Sequence, residues 1–167
     1  FTGLRIGSAT AKGLGLALDK PLIPVPTVEA LAYNLYDVSG LVCPIMDARR
    51  GQVYTGIYRF KDHRLVQVEG QMAVPIQELI GILNRLEEPV TFLGDGVPVF
   101  RETIQAELKM PFSFAPAHVN KQRAAAVAAL GEVYYKDGRI QTAMEHIPEY
   151  LRLSQAERER AQREGKA

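Results

Sequence analysis

Two glycine-rich stretches and one charged turn hold the residues best suited to chemistry. Gly7-Ser-Ala-Thr-Ala-Lys-Gly13-Leu-Gly15 sets a lysine among glycines, the composition of a phosphate cradle. The order is wrong for one, because a P-loop needs Gly-Lys followed by Ser or Thr and here Lys12 precedes Gly13. A dinucleotide fingerprint needs its glycines where a strand turns into a helix, whereas Gly13 and Gly15 fall late in a helical segment. Gly94-Asp95-Gly96 is better placed, after the short apolar run Val90–Leu93 and before Pro98, which suits a first helical turn. Backbone amides at such a helix start can hold phosphate, so Gly94, Asp95 and Gly96 form the candidate phosphate-binding loop. The alternative is a tight strand-to-helix turn with no ligand.

Other chemistries find less support. Asp47, Arg49 and Arg50 crowd one turn, but no nucleophile or second carboxylate stands beside them, so the turn reads as structural or as a contact for a partner or a nucleic-acid backbone. A helical metal pair needs two histidines about four residues apart. His63, His118 and His146 are isolated from one another, and no nucleophile-elbow motif marks a Ser/His/Asp site. No metal site and no catalytic residue is expected.

The elements that carry these residues follow from periodicity and punctuation. Thr2 can cap a helix running to Leu18, with apolar residues at Leu4, Ile6, Leu14, Leu16 and Leu18. Its small residues stand out. Gly3, Gly7 and Ala11 recur every fourth position and therefore line one helical face. Each interior glycine costs a helix about 1 kcal/mol relative to alanine, which argues for close approach of another backbone. Packing inside the chain's own core is the commoner cause of such a stripe; a contact helix for a partner is the other.

Residues 21–26 read as a short strand, and Thr27 caps a helix to Leu35. Residues 41–47, 52–60 and 64–74 read as three antiparallel strands joined at 48–51 and 61–63. Pro75 opens a helix to Leu86, 90–93 is a buried strand, 98–108 a helix and 112–115 a short strand. Asn120 caps a helix through Tyr135 that Gly138 ends in a left-handed turn. From Ser154 the chain alternates Glu and Arg, a solvated helix or frayed end. The organisation is α/β: a first piece at 1–40, a βββαβαβ-like lobe at 41–118, the segment 120–153 folding back on the first piece, and a charged tail at 154–167.

Bulk composition narrows the function classes. With 167 residues, 47% of them hydrophobic, the chain can bury a real core without staples. Its 20 basic and 19 acidic side chains give a net charge of +1, not the basic excess of a protein that grips nucleic acid alone. The one cysteine, Cys43, sits in an apolar run and reads as a small core residue of a protein kept in a reducing cytoplasm. No apolar run reaches the roughly 18 residues a membrane-spanning helix needs. The chain opens on Phe1 at a helix start, with no initiator Met and no signal-peptide pattern, so an N-terminal truncation is expected.

Four stretches together resemble one family. Phe1-Thr-Gly-Leu-Arg-Ile-Gly7, with Ala11-Lys-Gly13 beyond it, is similar to the second half of the signature of the TsaB (YeaZ) family, glycoprotease-like relatives of TsaD. Met46-Asp-Ala-Arg-Arg-Gly-Gln-Val-Tyr54 resembles the hairpin that follows it there, and Phe92-Leu-Gly-Asp-Gly96 and Glu149-Tyr-Leu-Arg152 match later landmarks in the same order. The resemblance implies the two-lobe actin/Hsp70/sugar-kinase (ASKHA) fold, with the N-terminal lobe incomplete because the first strands and their phosphate turn do not precede Phe1. It implies a non-catalytic partner subunit that works with TsaD and the ATPase TsaE to add threonylcarbamoyl to a tRNA adenosine beside the anticodon. It also turns the first helix toward the interface reading: Thr2, Gly3, Leu4, Gly7 and Ala11 become the partner surface, for TsaD or for a second copy in a homodimer, with Arg5 and Lys12 at its rim. tRNA would be met indirectly through the complex, and ATP or ADP only in the assembled complex. The rival readings are an autonomous ASKHA-type ATPase, which needs both phosphate turns, and a metallopeptidase, which the histidine spacing disfavours.

Overall fold

The computed structural model describes residues 2–152 of the chain; Phe1 and the charged tail expected from Ser154 onward lie outside the described residues. The twelve-residue strand β3 (Arg64–Pro75) runs antiparallel to β2 (Gln52–Lys61), with shifts of register around Ile57, and β2 runs antiparallel to β1 (Leu41–Asp47). β4 (Val90–Leu93) and β5 (Phe112–Phe114) continue the sheet on the other side of β1 in parallel, giving the order β3-β2-β1-β4-β5. The central strand β1 reads Leu-Val-Cys-Pro-Ile and is fully buried there, as a strand covered on both faces must be.

Each face has its own core. Leu41, Cys43, Ile45, Val53, Ile57 and Phe92 point toward helices α3 (Ile76–Leu86) and α4 (Val97–Glu107). Val42, Tyr58 and Leu93 point the other way, onto α2 (Thr27–Ala32), which continues as a 3₁₀ turn over Tyr33–Leu35. The two odd-and-even sets follow from the period-two alternation of side chains along a strand. α5 (Ala124–Lys136) lies behind α2, tied to it by the Tyr134 hydroxyl, which donates to the buried Glu29 carboxyl.

Three local expectations are corrected. Residues 21–26 form no strand beyond one antiparallel bridge, Leu22 to Gln141, because three prolines in six residues cannot donate to a ladder. Asn120 does not cap α5, which starts four residues later at Ala124; its side chain and carbonyl both accept the Gly94 amide instead, at 2.8 and 3.1 Å. Thr27 is already inside α2, whose cap position is Pro26, and no side chain caps it.

Helix α1 (Thr2–Leu18) forms over its expected span but not in a core. Its single buried residue is Gly15, beside Lys20 and Leu22. The rest of its inner side is held by polar contacts: Lys12 donates to the His146 carbonyl at 2.9 Å, and Arg5 to the Tyr150 hydroxyl at 3.3 Å. No helix among the described residues is long and apolar enough to cross a membrane.

Candidate functional site

The outer side of α1 is bare. Ile6, Leu14, Leu16 and Leu18 are each 58–66% exposed, and a Cβ built on Gly3 or Gly7 meets nothing within 4 Å. Gly3, Gly7, Ala11, Leu14 and Leu18 are spaced four, four, three and four, which sets them on one face of the helix: small residues for its first three turns, leucines for its last. Thr2 and Leu4 are exposed beside them. A soluble surface rarely leaves a contiguous apolar strip uncovered unless something binds it. Arg5 and Lys12 do not stand at a free rim; both turn inward and fasten α1 to the segment 146–150.

The Gly94–Gly96 loop is built differently from a phosphate cradle. Gly94 has φ +112°, and a Cβ there would overlap the Ile45 carbonyl oxygen. The Gly94 amide is taken by Asn120, the Gly96 amide by the Ile45 carbonyl at 3.0 Å, and the Val97 amide by the Gly94 carbonyl at 3.1 Å. Three of the donors that would face an anion are thus turned onto the protein itself. What the loop shows to solvent is Asp95, whose Oδ1 accepts the Asp47 amide at 3.3 Å.

The neighbouring β1–β2 turn is held by its own aspartate. Asp47 accepts the Arg49 amide at 2.8 Å and pairs with the Arg49 guanidinium at 3.3 Å, so Arg49 and Arg50 take left-handed φ values of 65° and 56°. Side chain–backbone bonding of this kind is how Asp stabilises a turn. Arg152 donates to the Ala48 carbonyl at 2.6 Å on the same turn. Three motifs distant in sequence (46–54, 92–96 and 149–152) therefore meet in space, and the fourth joins them through Arg5 and Tyr150.

Histidines do not gather. His63 pairs with Asp37 at 2.8 Å, His146 meets Gln141 at 3.0 Å, and His118 sits in a separate 3₁₀ turn. Among the described residues no three His, Cys, Asp or Glu side chains could hold a metal ion together. Burial pushes the Cys43 thiol up to about 12, the opposite of an activated nucleophile.

With this geometry in view, relatives identify the chain. Residues 1–160 match the family model described as "TsaD: tRNA N6-adenosine threonylcarbamoyltransferase". A Bacillus subtilis protein named "tRNA threonylcarbamoyladenosine biosynthesis protein TsaB" is 36% identical over 157 residues, covering 94% of this chain and 67% of the relative. The chain belongs to the TsaB family. An Escherichia coli protein of the same name is 34% identical over 82 residues, 48% of this chain and 36% of that protein. Two solved structures from Pseudomonas aeruginosa share the fold: an uncharacterized protein with similarity to peptidase YeaZ (TM-score 0.69, 20% identity, 91% of this chain and 68% of that one) and YeaZ itself (TM-score 0.65, 19% identity, 90% and 69%). The mixed five-stranded sheet with helices on both faces is accordingly part of a YeaZ-type, ASKHA-like α/β fold. This TsaB-family chain spans about two thirds of the length of the Bacillus subtilis relative.

Sequence reasoning passed over one cluster. Glu29, Tyr58 and Tyr134 meet between α2, β2 and α5, and burial beside Glu29 holds both phenols well above the usual tyrosine range. The available signal was Glu29 itself, an acid inside the otherwise apolar stretch Val28–Ala32.

Proposed function

We propose that this TsaB-family chain serves tRNA threonylcarbamoyladenosine biosynthesis as a non-catalytic subunit, docking on TsaD through the outer face of α1 while TsaE joins the pair. One observation carries the reading: a helix of 17 residues exposes its small-residue stripe and five large apolar side chains, with one residue buried in the chain's own fold. Burying apolar area is the main driving force of association, and glycines at Gly3 and Gly7 let a partner backbone come close. tRNA, on this reading, is met through the assembly, and any ATP or ADP is held there too.

The family model carries the name of a transferase, so an enzymatic role is the alternative to weigh. The spent amides of the Gly94–Gly96 loop and the raised Cys43 thiol argue for the scaffold. Reconstitution tests it: TsaD, TsaE, tRNA, ATP and a threonylcarbamoyl source are assayed with and without this chain. Modification that requires the chain, together with no turnover by the chain alone, supports the reading. Undiminished modification in its absence, or turnover by the chain alone, overturns it.

A further inference from the structure

At the end of the sheet opposite the Gly94–Gly96 loop, a half-open cleft of ≈ 660 Å³ lies between α2, α5 and the β2–β3 hairpin. Its size falls in the range of small-molecule sites. Four of the chain's seven tyrosines, Tyr33, Tyr36, Tyr58 and Tyr134, line it together with Glu29. Two of the lining groups are polar and deeply buried. Glu29 is 9% exposed and Tyr58 1%. Glu29 accepts the Tyr134 hydroxyl but has no ion-pair partner among the described residues. The Tyr58 hydroxyl is buried with no hydrogen-bond partner among the described residues.

Neither state is usual for a folded protein. A buried carboxylate ordinarily finds a cation, and a buried hydroxyl ordinarily finds a partner. The cations near the mouth are already committed: Arg64 to Asp137 at 3.1 Å, His63 to Asp37 at 2.8 Å and Lys136 to Glu132 at 2.7 Å. Arg139 lies over the Tyr134 ring, 3.5 Å from its centroid, and forms no ion pair with Glu29. That stacking shows the cleft's aromatic faces receiving a positive charge from within the chain. The inner wall therefore offers the Glu29 carboxyl as an acceptor, ringed by π-faces and by the apolar side chains of Leu65, Val66 and Leu130.

We propose that this cleft binds a small primary alkylammonium ligand. Its ammonium donates to the Glu29 carboxylate and lies against the tyrosine rings, whose negative faces attract cations. Its methylene chain covers Leu65, Val66 and Leu130. A quaternary ammonium has no N–H for the carboxylate and binds less well. The site is separate from α1 and does not rest on the docking role.

The probes are n-butylammonium and its neutral analogue n-butanol, titrated into the full chain at constant ionic strength and followed by backbone amide chemical shifts. Saturable shifts centred on residues 65–67 and 130–134, with n-butanol weaker by about tenfold or more, are the expected result. Glu29→Gln keeps shape and removes the charge, and should weaken n-butylammonium by about tenfold. Tyr58→Phe removes a sealed hydroxyl that has no partner among the described residues and that the ligand does not touch, so it should fold normally and bind unchanged; a loss of about tenfold or more would overturn the assigned pose. Shifts that stay linear in amine, equal binding of the alcohol, or unchanged binding by folded Glu29→Gln each overturn the site. Should Glu29→Gln fail to fold, the amine-to-alcohol contrast decides it without that variant.

Discussion

Gly94 and Ile45 share one small space: the Ile45 carbonyl takes the Gly96 amide at 3.0 Å and occupies the place a Cβ on Gly94 would need. The loop is thereby welded to the end of β1, and its φ of +112° excludes other residues on its own account. Gly94→Ala should lower stability by about 2–4 kcal/mol, read as a drop in urea midpoint at unchanged slope. A change below 0.5 kcal/mol would mean that the loop relaxes freely.

The same substitution logic runs backwards on α1. A Cβ on Gly7 meets nothing within 4 Å, so Gly7→Leu removes a helix-interior glycine without a clash. Melting should hold or rise slightly, by up to about 1 kcal/mol in stability. Association with TsaD, measured beside it by calorimetry, should weaken by at least about tenfold because the leucine forces the partner helix away. Lower melting with normal TsaD binding would defeat the interface assignment.

Nucleotide should find little purchase on this chain alone. The amides of Gly94, Gly96 and Val97 are all engaged internally, leaving the Asp95 carboxylate to face solvent. Calorimetry with magnesium-ATP should give a dissociation constant weaker than about 0.1 mM. Low-micromolar binding lost in Asp95→Ala would reverse this.

Alkaline pH should unfold the chain in a defined window. Burial raises the Cys43 thiol from 9.0 to about 12, and raises Tyr58 and Tyr134 above 10.0, desolvation first and the Glu29 charge second for Tyr58. Each group binds its proton more tightly folded than unfolded. Their contribution is therefore complete below pH 9 and is lost as pH climbs through the folded values. Urea midpoints should stay flat on this account up to pH 9 and fall from there to pH 12; Cys43→Ala should delay the onset to about pH 10, where the tyrosines begin. The native thiol should also resist an aromatic disulfide reagent at pH 8 until denaturant is added.

Much of the architecture could be read from local chemistry. The three antiparallel strands and both hairpin turns declared themselves because period-two alternation and turn residues act within a few positions of each other; Asp62 and His63 take the left-handed φ values, 50° and 61°, that a tight hairpin demands. α3 and α4 came with their prolines, and Gly138 closes α5 with φ +74°. Failures arose where a residue's partner lay far along the chain. Asn120 has the side chain of a helix cap, but Gly94, 26 residues away, claims it.

The sequence by itself determined the family, the helical span of α1 and its every-fourth-residue stripe, because motifs and spacing are written in one dimension. Whether that stripe faced a core or solvent was decided only in three dimensions, since a helical period records which residues share a face and not what covers it. The same holds for Glu29. An acid in an apolar run announces a conflict, but the hydroxyl of Tyr134, 105 residues on, and the unpartnered hydroxyl of Tyr58 appear beside it only when α2, α5 and β2 pack together. Desolvation and hydrogen bonding depend on distance in space, and folding sets that distance.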